Sequence, residues 1–399
     1  MLKKWSICLL LGLSTVLGAQ SQGIQFAENN LRNTFNQARV QNKPVFVEVY
    51  SNSCHVCQSF IPIFNQKQVG DFYNQNFINY KIEVNSPDFQ QFILGRKIFV
   101  PSLPLLMYFD GNQTLQHLAI IQPSAENVIQ QGKQALNPAQ RSASMRQRFA
   151  AGERANQFLI DFGMYSRVVS DTAMNLKAMD AYARQQPANA YLSETNFLVL
   201  QRLIMDVDNP LATYFINHLP EYSKKHDPKL VTGTAENIIM YSLFSSRGNK
   251  YSSTKVIQMR ENLLKAGIAP QMARNRVLLP LLNAYLREKK PAQAVEVVNT
   301  HSKQVSLKAP DYLYLIRYFN EKSPDASYVP SAQTWFSNGL KTVASPTSKE
   351  AADLYYQMAV AFKRAGKKAE ATDNAKRSVA IAKAAKVDSS QAEALLGSI

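Results

Sequence analysis

The sequence predicts an α/β module at the N-terminal end of the chain and a longer region built of helices after it. Residues 43–50 form an apolar, β-branched run that is typical of a buried strand, and two cysteines follow where a helix is expected to begin. After residue 137, strand-like runs are nearly absent and proline or glycine interrupts a helical pattern every 15 to 25 residues. With 399 residues, 46% of them apolar and 19% charged, the chain is expected to form about two or three folded units.

Residues 1–19 predict a cleaved signal peptide. Two lysines precede an apolar run from Trp5 to Leu17, and small residues follow it. The run is shorter than the roughly 20 residues that span a bilayer. A retained membrane anchor is the alternative interpretation. Cys8 lies inside the run and is expected to leave with the peptide.

Removal of this segment leaves Cys54 and Cys57 as the thiols of the mature chain, so a network of structural disulfides is excluded. One C-x-x-C pair in an exported protein indicates either redox chemistry or metal binding. The five histidines are scattered and no second cysteine pair completes a tetrahedral zinc site, which favours redox chemistry. Metal or haem capture by the two thiols stays open as an alternative.

The position of the pair assigns a role to each cysteine. Unpaired N–H groups and the helix dipole stabilise an anion at a helix N-terminus, so Cys54 is expected to be the nucleophile. Cys57 lies one turn further along, where its sulfur can reach Cys54 yet is shielded from solvent. It is therefore expected to be the resolving thiol, and the two form a redox-active disulfide.

Four more residues stand at informative distances from the cysteine pair. Glu48 lies six residues before Cys54, and Lys81 lies at the start of the next predicted strand. Pro62 lies five residues after Cys57, and Pro104 precedes an apolar strand and an Asp-Gly turn. In this order and spacing the segment resembles the thioredoxin-like superfamily. It is most similar to exported thioredoxin-fold proteins of Gram-negative bacteria that carry a helical extension.

The resemblance implies a thioredoxin domain over residues 20–137, with a central mixed sheet flanked by helices and no cofactor beyond the disulfide. It implies that Glu48, accompanied by Lys81, moves the proton of the resolving cysteine. It also implies that Pro104 follows a cis peptide bond, with Leu103 facing the substrate. Pro101 is the competing candidate for the cis bond, but the spacing to the Asp-Gly turn favours Pro104.

Two departures from the family limit this comparison. Ser53 replaces the tryptophan that is common before the first cysteine, and His55-Val56 replaces the Gly-Pro dipeptide of thioredoxin. We expect His55 at the substrate-facing surface, where a protonated imidazole would favour the Cys54 thiolate and raise the reduction potential. The alternative is a solvent-exposed imidazole without a tuning role, so the direction of electron flow stays open.

Residues 138–399 predict an all-helical domain of helical-repeat type. Residues 352–381 resemble the large and small positions of a tetratricopeptide repeat, although no regular 34-residue period is present. This region carries 35 Lys/Arg against 22 Asp/Glu, whereas residues 20–137 carry 8 against 7. The excess could attract an acidic protein or an anionic membrane surface. The region lacks a motif of basic and aromatic residues of the kind that would indicate nucleic-acid binding.

The preferred functional hypothesis is a periplasmic protein thiol-disulfide oxidoreductase that reduces, oxidises or isomerises disulfides of envelope proteins. Its expected partners are protein thiols or disulfides and an unidentified electron-transfer protein. A second hypothesis makes the helical region a non-catalytic scaffold for envelope proteins, with the thioredoxin fold as an adaptor.

Overall fold

The computed structural model describes residues 23–28 and 30–399. The expected signal peptide, with Cys8, lies outside the described residues. The chain forms two compact units, the first ending at Pro187 and the second running from Ala188 to Ile399. Among the described residues, no helix has both the length and the apolar character needed to cross a bilayer.

A four-stranded mixed sheet forms the centre of the first unit. Its strands are β1 Val45–Tyr50, β2 Ile78–Glu83, β3 Leu105–Phe109 and β4 Leu115–Ala119, in the order β2-β1-β3-β4. β1 pairs in parallel with β2 and antiparallel with β3, which pairs antiparallel with β4. The predicted thioredoxin-like α/β fold is confirmed.

Helices cover both faces of this sheet because β1 is apolar on both sides. Val45, Val47 and Val49 pack into one core cluster with α1, and Phe46 packs into another with α2, α3 and α4. Side chains alternate along a strand, so Glu48 points to the same face as Phe46, towards α2. The four helices are α1 Leu31–Gln41, α2 His55–Phe64, α3 Lys67–Asn76 and α4 Ala125–Leu136.

One strand boundary differs from the sequence-based prediction. β2 begins at Ile78, which pairs with Val45, so Lys81 lies in the middle of the strand and not at its start. The sequence did not indicate that β2 begins at Ile78, because Asn79, the next residue, is of a type that is uncommon in strands. Its side-chain amide is held by Gln25 and Asn74 in the folded chain.

In the described part of the chain, three further α-helices follow α4 within the first unit, and twelve α-helices form the second. Val168, at the end of α6, belongs to the core cluster that includes α1 and β1. The three are α5 Met145–Ala150, α6 Asn156–Val168 and α7 Thr172–Gln185. The twelve are α8 Glu194–Arg202, α9 Pro210–Asn217, α10 Leu219–Ser223, α11 Pro228–Leu243, α12 Ser253–Lys265, α13 Pro270–Arg287, α14 Pro291–Gln304, α15 Ala309–Lys322, α16 Val329–Leu340, α17 Lys349–Arg364, α18 Lys368–Ala384 and α19 Ser390–Leu396.

The tetratricopeptide-like segment forms the helix pair α17 and α18. Met358 and Phe362 on α17 are buried, as are Ala371 and Ala375 on α18. Gly366 separates the two helices with a φ of 70°, a left-handed conformation that glycine adopts without steric cost. The predicted all-helical region is confirmed.

Candidate functional site

Cys54 occupies the N-cap of α2. A turn over residues 51–54 places it there, since the Cys54 backbone N–H donates to the Ser51 carbonyl at 3.1 Å. The Cys57 backbone N–H then donates to Cys54 Sγ, also at 3.1 Å. The sulfur therefore receives one of the unpaired amides at the start of the helix, which is an arrangement that stabilises a thiolate.

Cys57 lies beneath Cys54 and is almost inaccessible, with 4% of its surface exposed. Burial, reinforced by the Cys54 thiol and the Glu48 carboxylate, raises the pKa of Cys57 to about 12. Both cysteines carry free thiols. The pair is thus asymmetric, with a half-buried outer sulfur on an N–H donor and an inner sulfur that retains its proton at neutral pH.

The loop before β3 faces the outer sulfur. The Leu103–Pro104 peptide bond is cis, and the Leu103 carbonyl oxygen lies 3.8 Å from Cys54 Sγ. Of the two prolines considered from the sequence, Pro104 therefore follows the cis bond. The backbone of Leu103 is the part of this loop that lies against Cys54.

Glu48 lies on β1 below α2 and is buried. Lys81, its neighbour on β2, places Nζ 3.1 Å from Glu48 Oε2. Burial raises the pKa of Glu48, although the positive charge and hydrogen bond of Lys81 act in the opposite direction. The four residues that the sequence predicted to be catalytic therefore lie in one region of the first unit. They are Cys54, Cys57, Glu48 and Lys81.

Lys81 also has aromatic neighbours that the sequence did not point to. Its Nζ lies 4.4 Å from the centroid of the Phe26 ring, 5.4 Å from that of Tyr50 and 5.7 Å from that of Phe64. Phe26 comes from the segment before α1 and is joined to β2 by a parallel bridge to Asn79. No sequence motif marks this segment, because the contact exists only after it has aligned with β2.

The two residues between the cysteines are exposed. His55 is the first residue of α2, and 51% of the Val56 surface is accessible. His55 therefore lies on the solvent-facing side of the pair, next to Cys54. Pro62 lies inside α2 at the position expected from the family pattern.

The described residues offer no alternative metal centre. No group of three or more His, Cys, Asp or Glu side chains within them is placed to hold a metal ion. Two sulfurs alone do not complete the four-coordinate site that structural zinc requires.

Comparison with known proteins agrees with the architecture. Residues 18–100 match the family model Thioredox_DsbH, which is described as "Protein of unknown function, DUF255". No curated protein matches the chain. The matched segment contains β1, the cysteine pair and β2, and it ends before Leu103 and Pro104. This match is consistent with a thioredoxin-like superfamily member, and together with the cysteine pair it indicates a thiol-related or thioredoxin-fold function.

Proposed function

We propose that the chain is an exported protein thiol-disulfide oxidoreductase. The observation that supports this best is the environment of Cys54 Sγ, which lies 3.1 Å from the Cys57 amide nitrogen and 3.8 Å from the Leu103 carbonyl oxygen. The first contact favours a nucleophilic thiolate. The second places beside the attacking sulfur a backbone segment that can pair with an extended substrate peptide.

The exchange proceeds in two displacements. The Cys54 thiolate attacks one sulfur of a client disulfide, so a Cys54–client disulfide forms while the client's second sulfur leaves as a thiolate. Cys57, after losing its proton, attacks Cys54 Sγ. The Cys54–Cys57 disulfide forms, and the remaining client sulfur leaves. Two electrons pass from the pair to the client, and the reverse sequence oxidises a client dithiol.

Glu48 is proposed to move the proton that controls the second displacement. Cys57 must become a thiolate to attack, and its pKa of about 12 makes this rare without a base. A raised pKa brings Glu48 nearer to neutral pH, where a carboxyl group can both accept and return a proton. Lys81 offsets the carboxylate charge whenever Glu48 is ionised.

The cellular setting is part of the proposal. The signal-like sequence at residues 1–19 supports export to the periplasm, and envelope proteins with exposed thiols or disulfides are the proposed clients. An electron-transfer protein would regenerate the active form of the pair. The excess of lysine and arginine in residues 138–399 suits contact with acidic proteins or an anionic membrane surface.

Reduction of insulin in the presence of a dithiol tests the proposal. The wild-type chain should catalyse it, and Cys54→Ser should abolish catalysis. Cys57→Ser should accumulate a mixed disulfide on Cys54, because the resolving thiol is absent. Ser59→Ala is a matched control, since Ser59 is an exposed residue of α2 outside the pair, and its activity should be unchanged.

Three outcomes would contradict or redirect the proposal. Full activity of Cys54→Ser would exclude Cys54 as the nucleophile. Absence of turnover with any dithiol would favour the non-catalytic scaffold. Stoichiometric metal in protein purified under reducing conditions would favour metal capture. If turnover is observed, equilibration with glutathione gives the direction, since a potential near about −270 mV indicates a reductant and one near about −120 mV an oxidant.

A further inference from the structure

A cavity of about 200 Å³ opens in the second unit between α12, α13 and α14. Its apolar part is formed by Val277, Leu278 and Leu281, which lie on one face of α13, and by Val297 on α14. Val277 and Leu281 are almost fully buried. The cavity is therefore a shaped apolar recess with helices on its sides.

Arg274 lies one turn before this apolar face and lines the same cavity. One of its terminal nitrogens donates to Gln271 Oε1 at 2.8 Å. Its Nε is buried and has no hydrogen-bond partner in the described part of the chain. A buried guanidinium N–H without an acceptor is costly, and a bound anion would remove that cost.

Among the described residues that line the cavity, Arg274 is the cation that is not paired with a carboxylate. Arg260 is turned to Glu261, with 2.8 Å between Nη2 and Oε1. Glu296 is exposed and accepts a hydrogen bond from the Thr300 hydroxyl at 3.3 Å.

His301 completes the polar lining. Its pKa is lowered, first by burial and then by the charge of Arg274, while Asp311 opposes the shift. It is therefore a neutral imidazole at pH 7 that can donate one N–H.

We propose that this cavity binds a monocarboxylate with a short, branched apolar tail. The carboxylate would accept from Arg274 Nε, with His301 as a second donor, and the tail would lie on Val277 and Leu281. The carboxylate of Glu296 disfavours a second negative charge on the ligand. At roughly 30 Å³ per water-sized volume, the cavity of about 200 Å³ holds about seven groups of that size. This site is separate from the cysteine pair and independent of the proposed redox function.

Calorimetry on the full chain tests this proposal with two carboxylates, each compared with its amide. The probes are 4-methylpentanoate, a free acid, and N-acetylglycyl-leucine, a model of a peptide C-terminus of which only the leucine residue would enter the cavity. A ligand of this size is expected to bind with a Kd of about 1 mM, and its amide at least about tenfold more weakly. Binding of the first probe alone indicates a free acid as the natural ligand, and binding of the second alone indicates a chain end. Either result supports the proposal, as does binding of both.

Two variants and a control connect the binding to the cavity. Arg274→Gln should weaken carboxylate binding by at least about tenfold. Arg276→Gln makes the same change two residues away, where the guanidinium pairs with Glu236 at 2.7 Å outside the cavity, and should bind as the wild type does. Thr300→Leu fills the cavity without removing a charge and should abolish binding.

The proposal is overturned if neither carboxylate binds at about 10 mM, or if the amides bind as tightly as the acids. It is also overturned if a folded Arg274→Gln chain retains wild-type affinity. Circular dichroism checks the fold of each variant. If Arg274→Gln does not fold, Thr300→Leu decides, and unchanged binding by that variant places the ligand elsewhere.

Discussion

Glu48 and Lys81 lie opposite each other in the parallel pairing of β1 with β2, and 3.1 Å separates Lys81 Nζ from Glu48 Oε2. The two side chains differ in burial, because 3% of Glu48 is exposed against 30% of Lys81. The carboxylate therefore loses more hydration than the ammonium group does. Burial outweighs the attraction of Lys81, and the pKa of Glu48 is raised.

Glu48→Gln is expected to stabilise the protein at pH 7. Because the pKa of Glu48 is raised above its ordinary value of 4.5, the folded protein binds more protons than the unfolded chain between the two pKa values. The free energy of unfolding of the wild type therefore falls as pH rises through this window, and the variant lacks that loss. We therefore expect the variant to be more stable than the wild type at pH 7, as measured by urea unfolding, and this gain should disappear below about pH 4.5.

Glu126→Gln provides the control for this measurement. Glu126 is exposed in the first turn of α4, so its replacement should change stability by only a few tenths of a kcal/mol. A Glu48→Gln chain that is less stable than the wild type at pH 7 would show that Lys81 outweighs burial. A gain that is equal at pH 4 and pH 7 would show that ionisation of Glu48 is not its cause.

Phe26→Leu is expected to raise the pKa of Glu48 further. Lys81 Nζ lies 4.4 Å from the centroid of the Phe26 ring, and a cation over an aromatic face is held there electrostatically. Without the ring the ammonium group is less restrained, and its effect of lowering the Glu48 pKa weakens. A ¹³C NMR titration of the Glu48 carboxyl carbon measures the change.

The control for this change is Phe72→Leu. Phe72, like Phe26, packs against the core cluster that contains Phe46, and its ring contacts Tyr73 and Phe77. The two substitutions remove the same atoms, but of these two rings only that of Phe26 lies below the Lys81 ammonium group. An equal shift of the Glu48 titration in both variants would attribute the effect to loosened packing, and no shift in Phe26→Leu would exclude the ring from positioning Lys81.

The sequence predicted the parts of the site that depend on local structure. The period of β1 places Glu48 on the α2 side, and the helix after the strand places Cys54 at its N-cap. The expected thioredoxin-like fold follows from such local patterns together with their order. Lys81 was found by its distance along the chain, although its place within β2 was wrong because Asn79 obscured the beginning of the strand.

Contacts between distant segments could not be predicted in the same way. Phe26 reaches Lys81 only because its segment runs beside β2 in the folded chain. Arg274 and His301 belong to different helices, and neither is part of a motif. Their proximity depends on how α13 and α14 pack, and helical periodicity alone does not determine this.

Alkylation of the reduced protein should distinguish the two thiols. Cys57 is 4% exposed and has a pKa of about 12, so on the order of one molecule in ten thousand or fewer carries its thiolate at pH 7.5. Iodoacetamide should therefore modify Cys54 first, and peptide mass spectrometry should find Cys57 unmodified until the protein unfolds. In guanidinium chloride both cysteines should react at similar rates, which is the control. Comparable labelling of both in the folded protein would contradict a buried, protonated Cys57.

His55→Ala should have little effect on the reduction potential of the pair. His55 is exposed at the first position of α2, and charges in contact with water interact by less than about 1 kcal/mol. Since 30 mV corresponds to about 1.4 kcal/mol, equilibration with glutathione should show a shift below about 20 mV at pH 7. Val56→Ala, an exposed neutral change next to it, should agree with this value within about 10 mV. A decrease of about 60 mV or more in His55→Ala alone would mean that the imidazole stabilises the Cys54 thiolate, and the dipeptide between the cysteines would then help to set the direction of electron flow.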